Sequence, residues 1–180
     1  MNFNGGNNIL IIGDNPSLNT LLLNKIMQSF NHIKTKYTFT NTCTETDLMN
    51  IIEHQKQTYG DEPVLVYLNN CINAEFSRNR QFTNMILNGR HLNIFVVLFM
   101  DHPVHFSSQI IVNFDTVIMY KDNKYNHDIR QMVYEDYFGF IPTFGEFNAC
   151  VENSANNEIL YTTWKQNTLY TNVKYKSFIC

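Results

Sequence analysis

The chain has 180 residues, of which 44% are hydrophobic and 14% aromatic, enough for one well-buried core and short for two. A formal net charge of −3 gives no global attraction to nucleic acid, so DNA contact is left open as a local or borrowed property. No apolar run approaches the roughly eighteen residues that span a bilayer, and the "MNFNGGNN" start lacks the basic and apolar parts of a signal peptide, so the expectation is a soluble, intracellular protein with no membrane segment.

Short apolar runs alternate with longer amphipathic stretches along the whole chain. This is the pattern of an α/β fold in three layers, a mainly parallel sheet flanked by helices, in a single domain over residues 1–180. The first predicted strand is Asn8 to Ile12, and it runs into "GDNPSLNT". Gly13 and Thr20 have the spacing of the first and last residues of a phosphate-cradling loop, in which glycines let backbone N–H groups point at phosphate while a lysine reaches the outer phosphates. The second glycine and the lysine are replaced by Leu18 and Asn19. A charge-assisted hydrogen bond contributes roughly 1.5–3 kcal/mol, and Asn19 supplies none. Read alone, the stretch is a turn and a helix start, with Asn15 as cap and Pro16 at the first helical position.

Apolar residues at helical spacing, Leu21, Leu22, Ile26 and Phe30, predict the first helix, and Lys25 on it lies too far on to replace the missing lysine. A strand over Lys36 to Thr40 and a helix around Leu48, Ile51 and Ile52 follow, the helix capped by Thr44 or Thr46. The next strand, Pro63 to Leu68, ends in Asn69 and Asn70 where a P-loop ATPase carries acids that hold Mg²⁺ and activate water. Amides keep the shape of carboxylates but neither anchor Mg²⁺ well nor take a proton. The stripe Phe76, Phe82, Met85 and Ile86 predicts a helix that ends with Gly89 as its cap. Strands at Asn93 to Phe99, Thr116 to Tyr120 and Glu158 to Thr162, and helices near Asp128 to Phe138 and Thr143 to Val151, complete the series.

Other clusters suggest little chemistry. Cys43, Cys71, Cys150 and Cys180 form no C-x-x-C pair, so reduced thiols are expected. Asp101, His102 and His105 in "DHPVH" lack further ligands at a convincing spacing, and no metal is expected. The aromatic residues Tyr134, Tyr137, Phe138, Phe140 and Phe144 have few basic neighbours and fit a packed corner better than a base-stacking platform.

In order and spacing, "FTNMILNGRHLNIFVVLFM", "IIVNFDTVIMY" and "MVYEDYFGFIPTFGEF" resemble the DNA-packaging ATPases of poxviruses and other large double-stranded DNA viruses, a branch of the FtsK/HerA P-loop superfamily. The likeness spans roughly Asn8 to Leu169 and implies a P-loop NTPase-like fold. It places a vestigial nucleotide loop at Gly13, Ser17, Leu18, Asn19 and Thr20, and degenerate catalytic positions at Asn69, Asn70 and Asp101. The family's Arg before the N-x-D element falls at Ile111, while Arg90 of the G-R-H element is a candidate subunit or nucleotide contact. What the resemblance implies is a catalytically inactive packaging-ATPase-like protein with a structural or regulatory role, its partners being itself or an active packaging ATPase. Its place would be the viral factory in the host cytoplasm, or the virion. The alternative is an active or weakly active packaging ATPase with an atypical site, and only that reading requires ATP and Mg²⁺.

Overall fold

A computed structural model describes residues 8–14, 16–120, 125–153, 158–163 and 168–174. Strands β1 (Ile9–Ile12), β2 (Thr35–Thr40), β3 (Val64–Asn69), β4 (Ile94–Met100) and β5 (Thr116–Tyr120) hydrogen-bond side by side in the order β2-β3-β4-β1-β5. All of these pairings are parallel. Beyond β5, β6 (Glu158–Thr163) and β7 (Thr168–Lys174) extend the sheet antiparallel. The α/β, mainly parallel expectation is correct. β7 went unforeseen, as did the one-turn helix α4 (Ser108–Ile111).

The connections explain the three layers. From β1 the chain crosses toward β2 at one edge, and from there it steps back through β3 and β4 to β5 in the opposite direction. Right-handed crossovers therefore put α1 (Pro16–Ser29) on one face, and α2 (Glu45–Gln57), α3 (Arg80–Asn88) and α4 on the other. The core divides accordingly. Ile9, Ile11, Tyr67, Phe99 and Tyr120 pack with Leu22, Ile26 and Phe30 of α1. Leu10, Ile12, Val66, Leu98 and Met119 pack with Leu48, Ile52, Phe82 and Ile86 on the opposite face. Alternate residues of one strand thus serve different cores, which is why β1 and β5 are buried at every position.

Local chemistry sets the helix ends. Thr44, one of the two candidate caps, closes a full capping box: its hydroxyl accepts from the Asp47 N–H at 3.2 Å and the Asp47 carboxylate accepts from the Thr44 N–H at 2.8 Å. The Phe76 to Ile86 stripe is not one helix. A 3₁₀ turn, Phe76–Arg78, gives way at Asn79, whose side chain caps α3 by accepting from Gln81 and Phe82. Gly89 does end α3, but with right-handed backbone (φ −56°), and the chain runs on as a 3₁₀ turn, Gly89–Leu92, until Asn93 reverses it at φ 52°. Gly89 is small because a β-carbon there would stand 3.3 Å from Cβ of Ile94.

The second half of the helical layer is α5 (His127–Val133), a π turn (Tyr134–Phe138) and α6 (Phe144–Asn153). The expected packed corner is present. Tyr134 meets Phe144 and Phe147 at centroid distances of 5.7 and 5.6 Å, and its hydroxyl donates to the Ile141 carbonyl at 2.9 Å.

Just past α2, Tyr59 holds a left-handed backbone (φ 53°) while 90% of its surface is exposed. A side chain in that conformation costs roughly 1–2 kcal/mol, and an exposed ring recovers little of it. Tyr59→Gly is therefore expected to stabilise the protein by about 1 kcal/mol, a rise in Tm of about 2–4 °C by circular dichroism. An unchanged or lower Tm would refute the assignment of strain.

Candidate functional site

In an open α/β sheet the ligand crevice lies beyond the carboxyl ends of the strands, where neighbouring connections leave in opposite directions. Here that point is between β1, whose chain leaves toward β2, and β4, whose chain leaves toward β5. Gly13, Asn69, Asn70 and Asp101 all lie at this carboxyl edge, so the fold gathers the residues that the sequence marks as degenerate.

Gly13 sits at φ +135° and donates its N–H to the Met100 carbonyl at 2.9 Å. A β-carbon on it would lie 2.7 Å from Cδ2 of Tyr120, so the residue must be glycine for packing alone. Only residues 13–15 separate β1 from α1, which begins at Pro16. Ser17, Leu18, Asn19 and Thr20 therefore have helical backbone, and no loop extends from Gly13 to Leu18 to wrap a phosphate. Asn19 presents a buried Oδ1 with no hydrogen-bond partner among the described residues, and Thr20 is exposed.

The end of β3 is held by its own backbone. Asn70 adopts left-handed geometry (φ 53°), donates its N–H to the Phe99 carbonyl at 2.9 Å, and accepts the Asp101 N–H on Oδ1 at 2.9 Å. The Asn69 carbonyl accepts from the Asn41 N–H at 2.8 Å and from the Cys71 thiol at 3.3 Å, while its Oδ1 is buried without a partner. Neighbouring side chains are partly withdrawn from water. Burial, with the neighbouring Cys71, pushes the Tyr67 hydroxyl up to about 12. Burial first, then Cys71 and Asp47, pushes the Cys43 thiol up to about 12, and burial also raises Cys71.

Asp101 is anchored through its carbonyl, which accepts the Tyr125 hydroxyl at 2.7 Å, and its carboxylate lies 3.6 Å from His102. His105 turns instead to the π turn, where its Nδ1 stands 3.1 Å from Asp136. Burial raises Asp136 above the usual carboxylate range and His105 partly offsets it. Asp101, His102 and His105 thus do not converge, and no group of three or more metal-ligating side chains is gathered among the described residues.

Arg90 lies elsewhere. It stands before β4, at the amino edge of the sheet and opposite Gly13. Its Nη1 and Nη2 donate to Asp115 Oδ1 and Oδ2 at 3.1 and 2.7 Å, and Nη2 also donates to the Asn113 carbonyl at 2.7 Å. Asp115 in turn accepts the Asn8 N–H at 2.8 Å, and Asn8 Oδ1 accepts the Val96 N–H at 2.9 Å. The G-R-H and N-F-D elements are two halves of one clamp that ties the starts of β1, β4 and β5 together. Within this chain Arg90 is committed to that clamp and does not reach the carboxyl edge. Asn8, the buried hub of the clamp, carries no signal in the sequence beyond its place before an apolar run.

No protein-family model matches the chain. It is 25% identical over 114 residues to the uncharacterized protein L437 of Acanthamoeba polyphaga mimivirus, a match covering 56% of this chain and 39% of L437. The chain therefore spans well under half the length of that relative. Among solved structures it is similar to the genome packaging NTPase B204 from Sulfolobus turreted icosahedral virus 2 in complex with ATP-gammaS, with a TM-score of 0.66 and 11% identity over 96% of this chain and 100% of that chain. EssC (ATPases 2 and 3) from Geobacillus thermodenitrificans gives a TM-score of 0.60 and 14% identity over 94% of this chain and 39% of that one. At such identities the likeness is one of fold: the chain has the P-loop NTPase-like α/β fold seen in viral genome-packaging ATPases.

Proposed function

We propose that this chain is a catalytically inactive packaging-ATPase-like protein of a large DNA virus, which keeps the fold for a structural or regulatory role in virion assembly or genome packaging. The observation that carries the reading is the bonding of Asn70, whose side chain holds the Asp101 backbone where a motor would need a free acid. Supporting it, α1 starts at Pro16 and leaves no phosphate-wrapping loop, and Asn19 brings no positive charge. The residues present therefore do not fit Mg-ATP, although B204 has been solved with ATP-gammaS, and no hydrolytic step is assigned here.

The proposed setting is the viral factory or the virion, with a second copy or the active motor as partner. Calorimetry with Mg-ATP is expected to give only heats of dilution. A saturable exothermic isotherm in the micromolar range would instead support a working site. Light scattering of the protein with and without the virus's active motor tests the regulatory role, for which a mixed assembly is expected. A protein that remains monomeric and ignores the motor would exclude regulation through a shared ring.

A further inference from the structure

We propose that the groove between α2 and α3 is a docking site for an acidic amphipathic helix of a partner protein. This inference does not depend on whether the carboxyl edge binds nucleotide. The groove has a volume of about 600 Å³ and lies on the sheet face opposite α1. Its apolar lining comes from Met49 and Ile52 of α2 and Leu87 of α3.

The cations are placed at its two ends. Arg78 and Arg80 flank the start of α3. Lys56 is in the last turn of α2, which lies beside the far end of α3, because Gln55 donates to the Leu92 carbonyl at 2.9 Å. From Arg80 to Asn88 an α-helix rises about 12 Å, or a little over two turns. A helix laid in the groove would therefore present carboxylates about two turns apart, with apolar residues between them on the same face.

These cations have no internal duty. Of the four arginines, Arg90 and Arg130 pair with Asp115 and Glu152, whereas Arg78, Arg80 and Lys56 form no ion pair among the described residues. Glu53 also lines the groove, so the surface is selective in sign without being uniformly basic. Nucleic acid is the poorer occupant. A phosphate backbone is tracked by cations along its whole length, whereas here they stand at the two ends and the lining between includes Met49, Leu87 and the carboxylate of Glu53. Ile52 is already buried in the core and forms the floor, so covering the half-buried Met49 and Leu87 with leucines gives the association its hydrophobic term, and the terminal charge pairs fix direction and register.

The test uses a fluorescein-labelled helical peptide of about 18 residues, leucines on one face and glutamates two turns apart, titrated with the whole protein by fluorescence anisotropy. Saturable binding is expected, with at least ~tenfold weaker affinity for a scrambled peptide of the same composition and for an oligo-dT of equal charge. Arg78→Glu/Arg80→Glu and, separately, Leu87→Gln are each expected to weaken the patterned peptide by ~tenfold or more, while the exposed Lys36→Glu stays within ~twofold. Circular dichroism melting checks each variant, and Lys56→Glu replaces any that fails to fold. The proposal is overturned if the patterned peptide does not saturate, if the scrambled peptide or the oligonucleotide binds as well, or if the charge reversals leave the affinity unchanged.

Discussion

Asp115→Ala is expected to destabilise the protein by about 3–5 kcal/mol, lowering Tm by on the order of 10 °C in a circular dichroism melt. The Asp115 side chain is only 9% exposed and accepts both terminal nitrogens of Arg90 together with the Asn8 N–H. Truncation leaves a guanidinium without its counter-charge and a buried amide without an acceptor, and each loss costs more than the intact pair contributes. Arg90→Ala should cost less, because Arg90 is 35% exposed and its removal still leaves Asp115 bonded to Asn8. In the double variant the two costs should fall short of their sum by roughly 0.5–3 kcal/mol, the coupling of groups in direct contact. If Asp115→Ala melts within about 1 °C of the parent, the clamp is not a stabilising centre.

Gly13→Ala should cost about 2–6 kcal/mol, combining overpacking of roughly 1–3 with backbone strain of a similar size. The added methyl would stand 2.7 Å from Cδ2 and 3.0 Å from Cβ of Tyr120, and φ +135° disfavours any side chain whatever the space. The two contributions are separable. In a Tyr120→Ala background the 2.7 Å ring contact disappears while the tight 3.0 Å contact with Cβ and the strain persist, so the cost of Gly13→Ala should fall by up to about half without vanishing. An equal cost in both backgrounds would show that Tyr120 is not the obstacle. If Gly13→Ala melts like the parent, neither account survives. Gly13 is thus explained by an aromatic ring at the end of β5, the strand paired with β1, and its presence alone says nothing about phosphate.

That outcome bears on what the sequence made legible. The parallel strands are apolar runs bounded by turn residues, and every one was placed to within a residue or so at each end, Thr116–Tyr120 without error. Such runs declare themselves because both faces are buried. The amides at the carboxyl edge were also visible, since a motif is read from neighbouring positions. Asn70 as a brace for Asp101 was not, because it depends on the left-handed turn that follows β3. Arg90 and Asp115 were seen as separate elements, and only the parallel register that aligns β1 with β4 and β5 brings them into contact. The groove was invisible for the same reason, being made by two helices from separate stretches of the chain that the sheet brings side by side. The π turn hid inside an uninterrupted helical pattern, whose apolar spacing does not distinguish a wide turn from an ordinary one.

The position of β1 has a cost in time. It is synthesised well before its hydrogen-bonding partners on either side, β4 and β5, with Ile9 opposite Val97 and Thr116. At roughly 5–20 residues per second, those partners leave the ribosome on the order of 5–20 s after β1. Through that interval β2 and β3 cannot shelter it, since neither is its neighbour in the sheet. The apolar segment Ile9–Ile12, buried at every position in the finished fold, is therefore an opening for misassociation of the nascent chain, and its wait sets when the parallel part of the sheet can close.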